Sequence, residues 1–234
     1  ESETAMQEAS RCLQCPAPHA CQEACPLHND IPGAMWLIAQ GKFLQAANLY
    51  RQTSVFPEIC GRVCPQEKLC EGSCTLSKKY GAPSLGKLEM FVADYQRAAL
   101  GGFPKPEIPP ATGKWIAIVG AGPAGLAVAE VLRRRGHRVT VYDAAAYPGG
   151  LLMFGIPSFK LPKGLVMHKV GFLRGIGVEF VCNTRIGQDF TIDDLFARGA
   201  HAVFVGVGAN VDAPLEAPGV DLQGIYQAGE FLLW

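Results

Sequence analysis

Eight of the nine cysteines stand between Cys12 and Cys74, and the long remainder of the chain holds only Cys182. They form two groups. The first is Cys12-x2-Cys15-x5-Cys21-x3-Cys25-Pro, and the second is Cys60-x3-Cys64-Pro-x4-Cys70-x3-Cys74. A stretch this dense in thiols must fold around whatever the thiols hold. Disulfide scaffolds of secreted proteins are usually short and stapled throughout, whereas here a long segment rich in Gly and Ala follows the cysteines. Structural zinc sites favour pairs with a long gap between them, often with His. In this chain the gaps are short, and His19 and His28 lack a matching pair. Cysteine followed by proline is typical of iron–sulfur binding runs, in which successive cysteines serve different clusters. Thiolates suit iron as soft, negative donors. The ordering from the residues is therefore iron–sulfur first, zinc second and disulfides last.

Charge and hydropathy narrow the setting. Lys and Arg number 21 and Asp and Glu number 21, so the formal net charge is zero and nothing points to nucleic acid or an anionic membrane surface. With 49% hydrophobic residues the chain can bury a sizeable core. The first residue is Glu1 rather than Met, which suggests a processed or trimmed start, and no basic segment followed by an apolar one marks a signal peptide. The richest apolar run, "WIAIVGAGPAGLAVAEVL", is broken by Pro and Gly, so no membrane span is expected. The cysteine distribution fits a reducing cytoplasm.

The pattern changes along the chain. Residues 1–30 are expected to be mostly loops. "IPGAMWLIAQGKFLQAANLYRQT" reads as two short helices broken near Gly41, with Trp36, Leu37, Phe43, Leu44 and Leu49 inward. "LGKLEMFVADYQRAAL" has helical spacing through Leu88, Phe91, Val92, Tyr95 and Leu100. The Pro- and Gly-rich stretch 101–113 is the expected linker between a domain over 1–100 and a second over 114–234. Beyond it, apolar strand runs ("KWIAIVG", "HRVTVYD", "VEFVCN" and a further buried strand, "HAVFVGVGA") alternate with helical ones. That alternation argues a parallel, doubly wound α/β sheet. Thr191 and Asp194 stand in capping-box spacing, with Asp in place of the usual Glu or Gln.

"VGAGPAGLAVAEVLRRRGHRVTVYD" carries G-x-G-x-x-G as Gly120, Gly122 and Gly125, after a strand and at the start of a helix. Gly120 allows the tight turn, Gly122 the close approach of a pyrophosphate, and Gly125 close packing of helix on strand. The helix start adds free N–H groups and a positive dipole end. Asp143 ends the second strand, where a carboxylate can accept a hydrogen bond from a ribose hydroxyl. The motif does not distinguish flavin from nicotinamide. "GPAG" together with the downstream "GGLL" is more similar to FAD-binding flavoproteins. Gly149 and Gly150 are alternatively an ordinary turn. Arg133 to Arg135 read as a solvated last helical turn. Cys182 reads as a buried strand residue; without a C-x-x-C partner it disfavours a flavin–disulfide reductase.

The paired cysteine groups, "GRVCPQEKLCEGSC", "GAPSLGKLE", the Gly-loop segment and "GGLLMFGIPSFKLPK" resemble the small (beta) subunit of NADPH-dependent glutamate synthase. The electron-input region of dihydropyrimidine dehydrogenase and the large subunit of NADH-dependent ferredoxin:NADP oxidoreductase share the arrangement. The resemblance covers nearly the whole chain. It implies a helical domain with two [4Fe–4S] clusters, then an FAD-binding Rossmann-like domain, with electrons running from NAD(P)H through FAD to the clusters and a partner. It further implies that one cluster takes Cys12, Cys15, Cys21 and Cys74. The other takes Cys25, Cys64 and Cys70 with Glu89 as a non-cysteine fourth ligand, leaving Cys60 a bystander. Counting alone favours eight cysteines for two cubanes, and that alternative stays open. With the motif, the resemblance implies flavin contacts from Gly120, Ala121, Gly122, Pro123, Ala124, Gly125, Asp143, Gly149, Gly150, Leu151, Lys160, Ile186 and Gly208.

In such relatives an NAD(P)H-binding domain interrupts the FAD domain. This chain stops at "IYQAGEFLLW", so the Rossmann-like domain is expected to be incomplete, lacking that NAD(P)H domain. The expectation is therefore a cytoplasmic electron-transfer oxidoreductase component, not active alone. Its partner would be the glutamate synthase large subunit or an analogous acceptor. The alternatives are an electron-input subunit of another complex, such as a bifurcating oxidoreductase, and a zinc-stabilised interaction module.

Overall fold

In the computed structural model, which describes residues 1–209 and 212–233, Gly41 makes the first sharp reversal. Its φ of +72° is one that a β-carbon disfavours. The reversal separates α3 (Ile31–Ala39) from α4 (Phe43–Tyr50), as the sequence predicts. Asp30 starts α3 by accepting the Gly33 N–H at 3.0 Å. The inward faces are those expected only in part: Phe43 is buried and Leu37 and Leu49 pack against the core, but Trp36 and Leu44 do not. Ile31, Ala34, Met35 and Ile38 are buried, as are Phe43, Ala46, Ala47 and Tyr50. Trp36 is 52% exposed and Leu44 42%. Both buried sets follow i, i+3, i+4, i+7, so helical register selects the inward face and the largest apolar side chains do not. Trp36 instead lies outside, with the Lys42 ammonium 5.1 Å from its ring centre.

The chain divides into two compact units, Glu1–Pro104 and Lys105–Trp234. In the first, the expectation of loops over 1–30 needs correction. Ser2–Ser10 forms α1 and Ala20–Glu23 a single-turn α2. Ala5 and Ala9 are buried, and side chains this small let α1 lie close against its neighbours. α5 (Pro57–Val63) precedes the last cysteines, and α6 (Leu85–Ala99) closes the unit. On α6 the buried face includes Leu85, Leu88, Val92 and the polar Glu89 and Gln96, whereas Tyr95 and Leu100 are exposed. Tyr95 still packs edge-on against Phe43 at 5.1 Å, beside Phe91.

The second unit is a parallel sheet in the order β3-β2-β1-β4. The strands are β1 (Trp115–Val119), β2 (Arg138–Tyr142), β3 (Val178–Val181) and β4 (Ala202–Val205). The linking helices are α7 (Pro123–Arg134), α8 (Leu151–Phe154), α9 (Lys163–Gly175) and α10 (Ile192–Ala197), with α11 (Ala228–Leu233) last. The Thr191–Asp194 capping box forms, with the Asp194 N–H donating to Thr191 Oγ1 at 3.2 Å and the Thr191 N–H to Asp194 Oδ2 at 2.7 Å. The strand at 202–205 is not buried as expected. It is the outer strand of the described sheet, and Val205 is 53% exposed. Cys182 follows β3 rather than lying in it, and is half-buried. Arg133 is not a solvated residue either: its Nε–H donates to Ile176 O at 2.6 Å and ties α7 to the end of α9.

Between α7 and α9, Lys169 Nζ meets Glu130 Oε2 at 2.6 Å with both side chains buried, and Arg134 pairs with the other Glu130 oxygen. Without Lys169 the buried Glu130 carboxylate is left to the partly exposed Arg134, a weaker compensation for a charge that water cannot reach. Lys169→Met should therefore cost about 3 kcal/mol in urea unfolding. Adding Glu130→Gln should recover part of that loss. Unchanged stability in the single variant would show that the pair does not hold the two helices.

Candidate functional site

Three hydrogen bonds at the end of α1 bring cysteines far apart in sequence together. Arg11 donates to Tyr80 O at 3.1 Å and Gly81 O at 2.7 Å, and Glu8 accepts the Ser84 N–H at 2.8 Å. They fasten the loop after Cys74 to the residue before Cys12. In consequence Cys12, Cys15, Cys21 and Cys74 line one small cavity, with apolar walls from Leu13, Ile31, Leu76 and Leu85. Burial pushes the Cys12 thiol up, and the neighbouring Cys15 and Cys74 push it further. Burial with Cys12 and Cys74 drives Cys21 to about 11. The Gln14 amide donates to Cys12 Sγ at 3.5 Å and to Pro32 O at 3.1 Å, and Thr75 Oγ1 lies 3.5 Å from Cys15 Sγ. Neither polar neighbour stands out in the sequence. Only the backbone of Gln14, at φ +49°, marks it as unusual.

The other four thiols of the first unit gather elsewhere in it. Cys64 feels Glu89 and Cys25, and Cys70 is pushed to about 12 by burial, with Glu71, Cys25 and Cys64 adding to it. Gly61 brings Glu89 in. A β-carbon there would stand 2.6 Å from Met90 N and 2.7 Å from Gly86 O, so only glycine lets α5 and α6 touch at this point. Glu89 is 9% exposed, and its Oε1 has no hydrogen-bond partner. Burial first, and the nearby Glu58 second, raise its carboxyl to about 8. Cys60 lies here too, raised to about 12 by burial and then by Glu89, and hydrogen-bonded to Ser54. Tyr50 is fully buried within electrostatic reach of Glu89, Cys70, Cys25 and Cys21.

These features fit a cationic metal centre. An unpartnered buried carboxylate oxygen and crowded thiols are costly alone, and a bound cation reverses that balance. All nine thiols are free. Among the described residues no three His, Cys, Asp or Glu side chains converge as ligands of a single ion. A cubane asks for a wider arrangement, since each protein ligand binds its own iron.

In the second unit the glycine loop is held from three sides. A β-carbon on Gly120 (φ +102°) would lie 2.4 Å from Gly206 O, and one on Gly125 1.9 Å from Gly120 O. Gly122, by contrast, faces open space. Gly149 and Gly150 are not an ordinary turn: the Gly149 N–H donates to Ala121 O at 2.8 Å, and a β-carbon on Gly150 would stand 2.8 Å from Gly122 Cα. Asp143 accepts from the Ala121 N–H at 2.6 Å and the Ala145 N–H at 2.8 Å, so it braces the loop with lone pairs left for a further donor. Pro123 and Ala124 open α7. Leu151 is exposed at the start of α8, and Gly208 follows β4 at φ +72°. Lys160 is exposed, and Ile186 packs beneath the sheet through a bridge to Phe190; no hydrogen bond ties either to the loop.

Residues 1–100 match the family described as dihydropyrimidine dehydrogenase domain II, 4Fe-4S cluster, and residues 118–172 match an NAD(P)-binding Rossmann-like domain. An iron–sulfur domain thus precedes a dinucleotide-binding fold, the make-up of an oxidoreductase component. The small chain of NADPH glutamate synthase from Escherichia coli is 44% identical over 97% of this chain and 47% of that protein. Its counterpart from Azospirillum brasilense is 41% identical over 98% of this chain and 47% of that protein. The E. coli protein AegA is 44% identical over 99% of this chain and 35% of that protein. Over nearly its whole length the chain is thus similar to the small chain of NADPH glutamate synthase and to AegA, and it spans about half the length or less of these relatives.

Because Gly122 has no protein atom near its missing side chain, a valine there meets only an incoming ligand. Gly122→Val should leave the fold and melting temperature unchanged while lowering dinucleotide occupancy at least tenfold, an effect of about 1.4 kcal/mol or more. Equal occupancy in variant and parent would show that the loop is not the binding site.

Proposed function

We propose that the chain is the electron-relay module of an iron–sulfur flavoprotein, with two [4Fe–4S] clusters and one FAD. Cys12, Cys15, Cys21 and Cys74 would hold one cluster, and Cys25, Cys64, Cys70 and Glu89 the other. FAD would lie on the loop from Gly120 to Gly125, with Asp143, Gly149 and Gly150 beside it. When bound, the flavin exchanges a hydride with NAD(P)H and the clusters pass electrons singly. The observation that carries this reading is the sorting of the thiols. Four line one cavity, while Cys25 acts on Cys64 and Cys70, and Cys64 and Cys60 lie within electrostatic reach of the unpartnered, buried Glu89.

The chain's own residues divide the work. Backbone N–H groups at the start of α7 receive phosphate charge, and Gly122 leaves the surface open for it. Asp143 fixes the loop from the end of β2. In the first unit the apolar walls around Cys12 and Cys21 keep water from the thiolates, and Gln14 and Thr75 offer hydrogen bonds to sulfur. NAD(P)H would bind through a part of the protein outside this chain. The acceptor would be a partner redox subunit, such as the large subunit of a glutamate synthase. A reducing cytoplasm suits nine free thiols. No described helix is long and apolar enough to cross a membrane. The equal identity to AegA favours a second reading of the same module, as the electron-input part of a different complex.

Anaerobically purified protein should carry about eight iron and eight sulfide per chain, the content of two cubanes. Stoichiometric zinc without iron would sink the proposal. Cys60→Ser should keep both clusters, while Glu89→Ala should lose one or shift its potential in an EPR-monitored titration. The reverse pattern would assign the fourth ligand to Cys60.

A further inference from the structure

Behind Glu89 lies a polar network that the cluster ligand sets do not use. Glu58 on α5 is fully buried. Its Oε2 accepts from Arg51 Nη2 at 3.0 Å, and the Arg51 side chain is itself only 7% exposed. Arg51 Nε donates to Gln96 Oε1 at 2.7 Å, and the Gln96 amide donates on to Asn48 Oδ1 at 2.7 Å. Arg62 donates to the Glu58 carbonyl at 2.8 Å and fixes the turn of helix that carries it. The other carboxylate oxygen, Glu58 Oε1, is buried with no hydrogen-bond partner, as is Glu89 Oε1. The two carboxylates interact, and Glu58 also acts on Cys60. Arg51 is thus held by Gln96, and through it Asn48, as well as by Glu58 Oε2, while Glu58 Oε1 stays unpaired within electrostatic reach of Glu89 and Cys60.

We infer that the buried Arg51–Glu58 pair is a positioning element for the centre at Glu89, a fixed dipole whose negative end lowers the reduction potential of that cluster alone. The physical reason is charge. An added electron is disfavoured by a nearby negative group, and burial removes the water and salt that would screen it. Net charge around a cluster is one of the terms that set its potential. A guanidinium stays protonated whatever its surroundings, so removing the Glu58 charge leaves a net positive group in the network rather than a neutral one. The effect does not depend on whether Glu89 or Cys60 is the fourth ligand, because Glu58 acts on both.

The inference rests on the two-cluster reading, and the test separates their failures. Parent, E58Q and the double variant R51Q/E58Q are purified anaerobically as the full chain, assayed for iron and titrated by EPR. A parent without iron would fail the two-cluster reading. With both clusters present, E58Q should raise the potential of the cluster that Glu89→Ala or Cys60→Ser perturbs and leave the other where it was. The double variant restores local neutrality and should bring that potential back toward the parent. Selective loss of that one cluster in E58Q, with the other at its parent potential, also supports the positioning role. The inference is overturned if E58Q moves neither potential or both together, or if the double variant shifts as far as E58Q. Loss of both clusters in E58Q overturns it as well, because the pair would then serve the fold as a whole.

Discussion

The first unit is organised by a repulsion. Thiols and the Glu89 carboxyl are gathered where burial penalises their ionised forms, and nearby groups, Glu58 among them, raise several of them further. Arg51 pairs with Glu58, but Glu89 has no such partner and keeps an orphaned oxygen. A protein rarely leaves such groups unmatched without a purpose for them. Much else in the unit follows from holding these groups together: the glycine contact of α5 on α6 at Gly61, the clamp from Arg11 to the loop after Cys74, and the alanines that let α1 pack close.

The second unit solves a different problem. Its glycine loop leads backbone N–H groups to the start of α7 and leaves the space before Gly122 open. The positive-φ Gly120, the crowded Gly125 and the open Gly122 divide that task among three residues with one side chain in common. The Gly149–Gly150 segment then folds back onto the loop, and Asp143 braces it from the strand end. The rigidity belongs to the parallel sheet beneath, whose β1 is paired on both sides.

The same pair of units occurs at equal identity in the E. coli glutamate synthase small chain and in AegA. What they share is therefore this pair of units, and this chain covers about half or less of either relative.

The sequence by itself determined the class of each unit. Cysteine spacing is a local signal, and so are the strand–glycine–helix pattern, the break at Gly41 and the Thr191 capping box, because each depends on residues a few positions apart. It misjudged which faces were inward. In "IPGAMWLIA" nearly every residue is apolar, so hydrophobicity carries no phase, and Trp36 and Leu44 were favoured over alanines that pack inside. It also missed α1 and the outer place of β4, and could not see that Arg133 caps α9 across the unit. Only the tertiary structure decided which cysteines meet, that Glu89 points inward without a partner, and that Glu58 and Arg51 stand behind it. Those facts depend on helices crossing at Gly61 and on loops clamped across the chain, contacts between residues too far apart for any local pattern to encode.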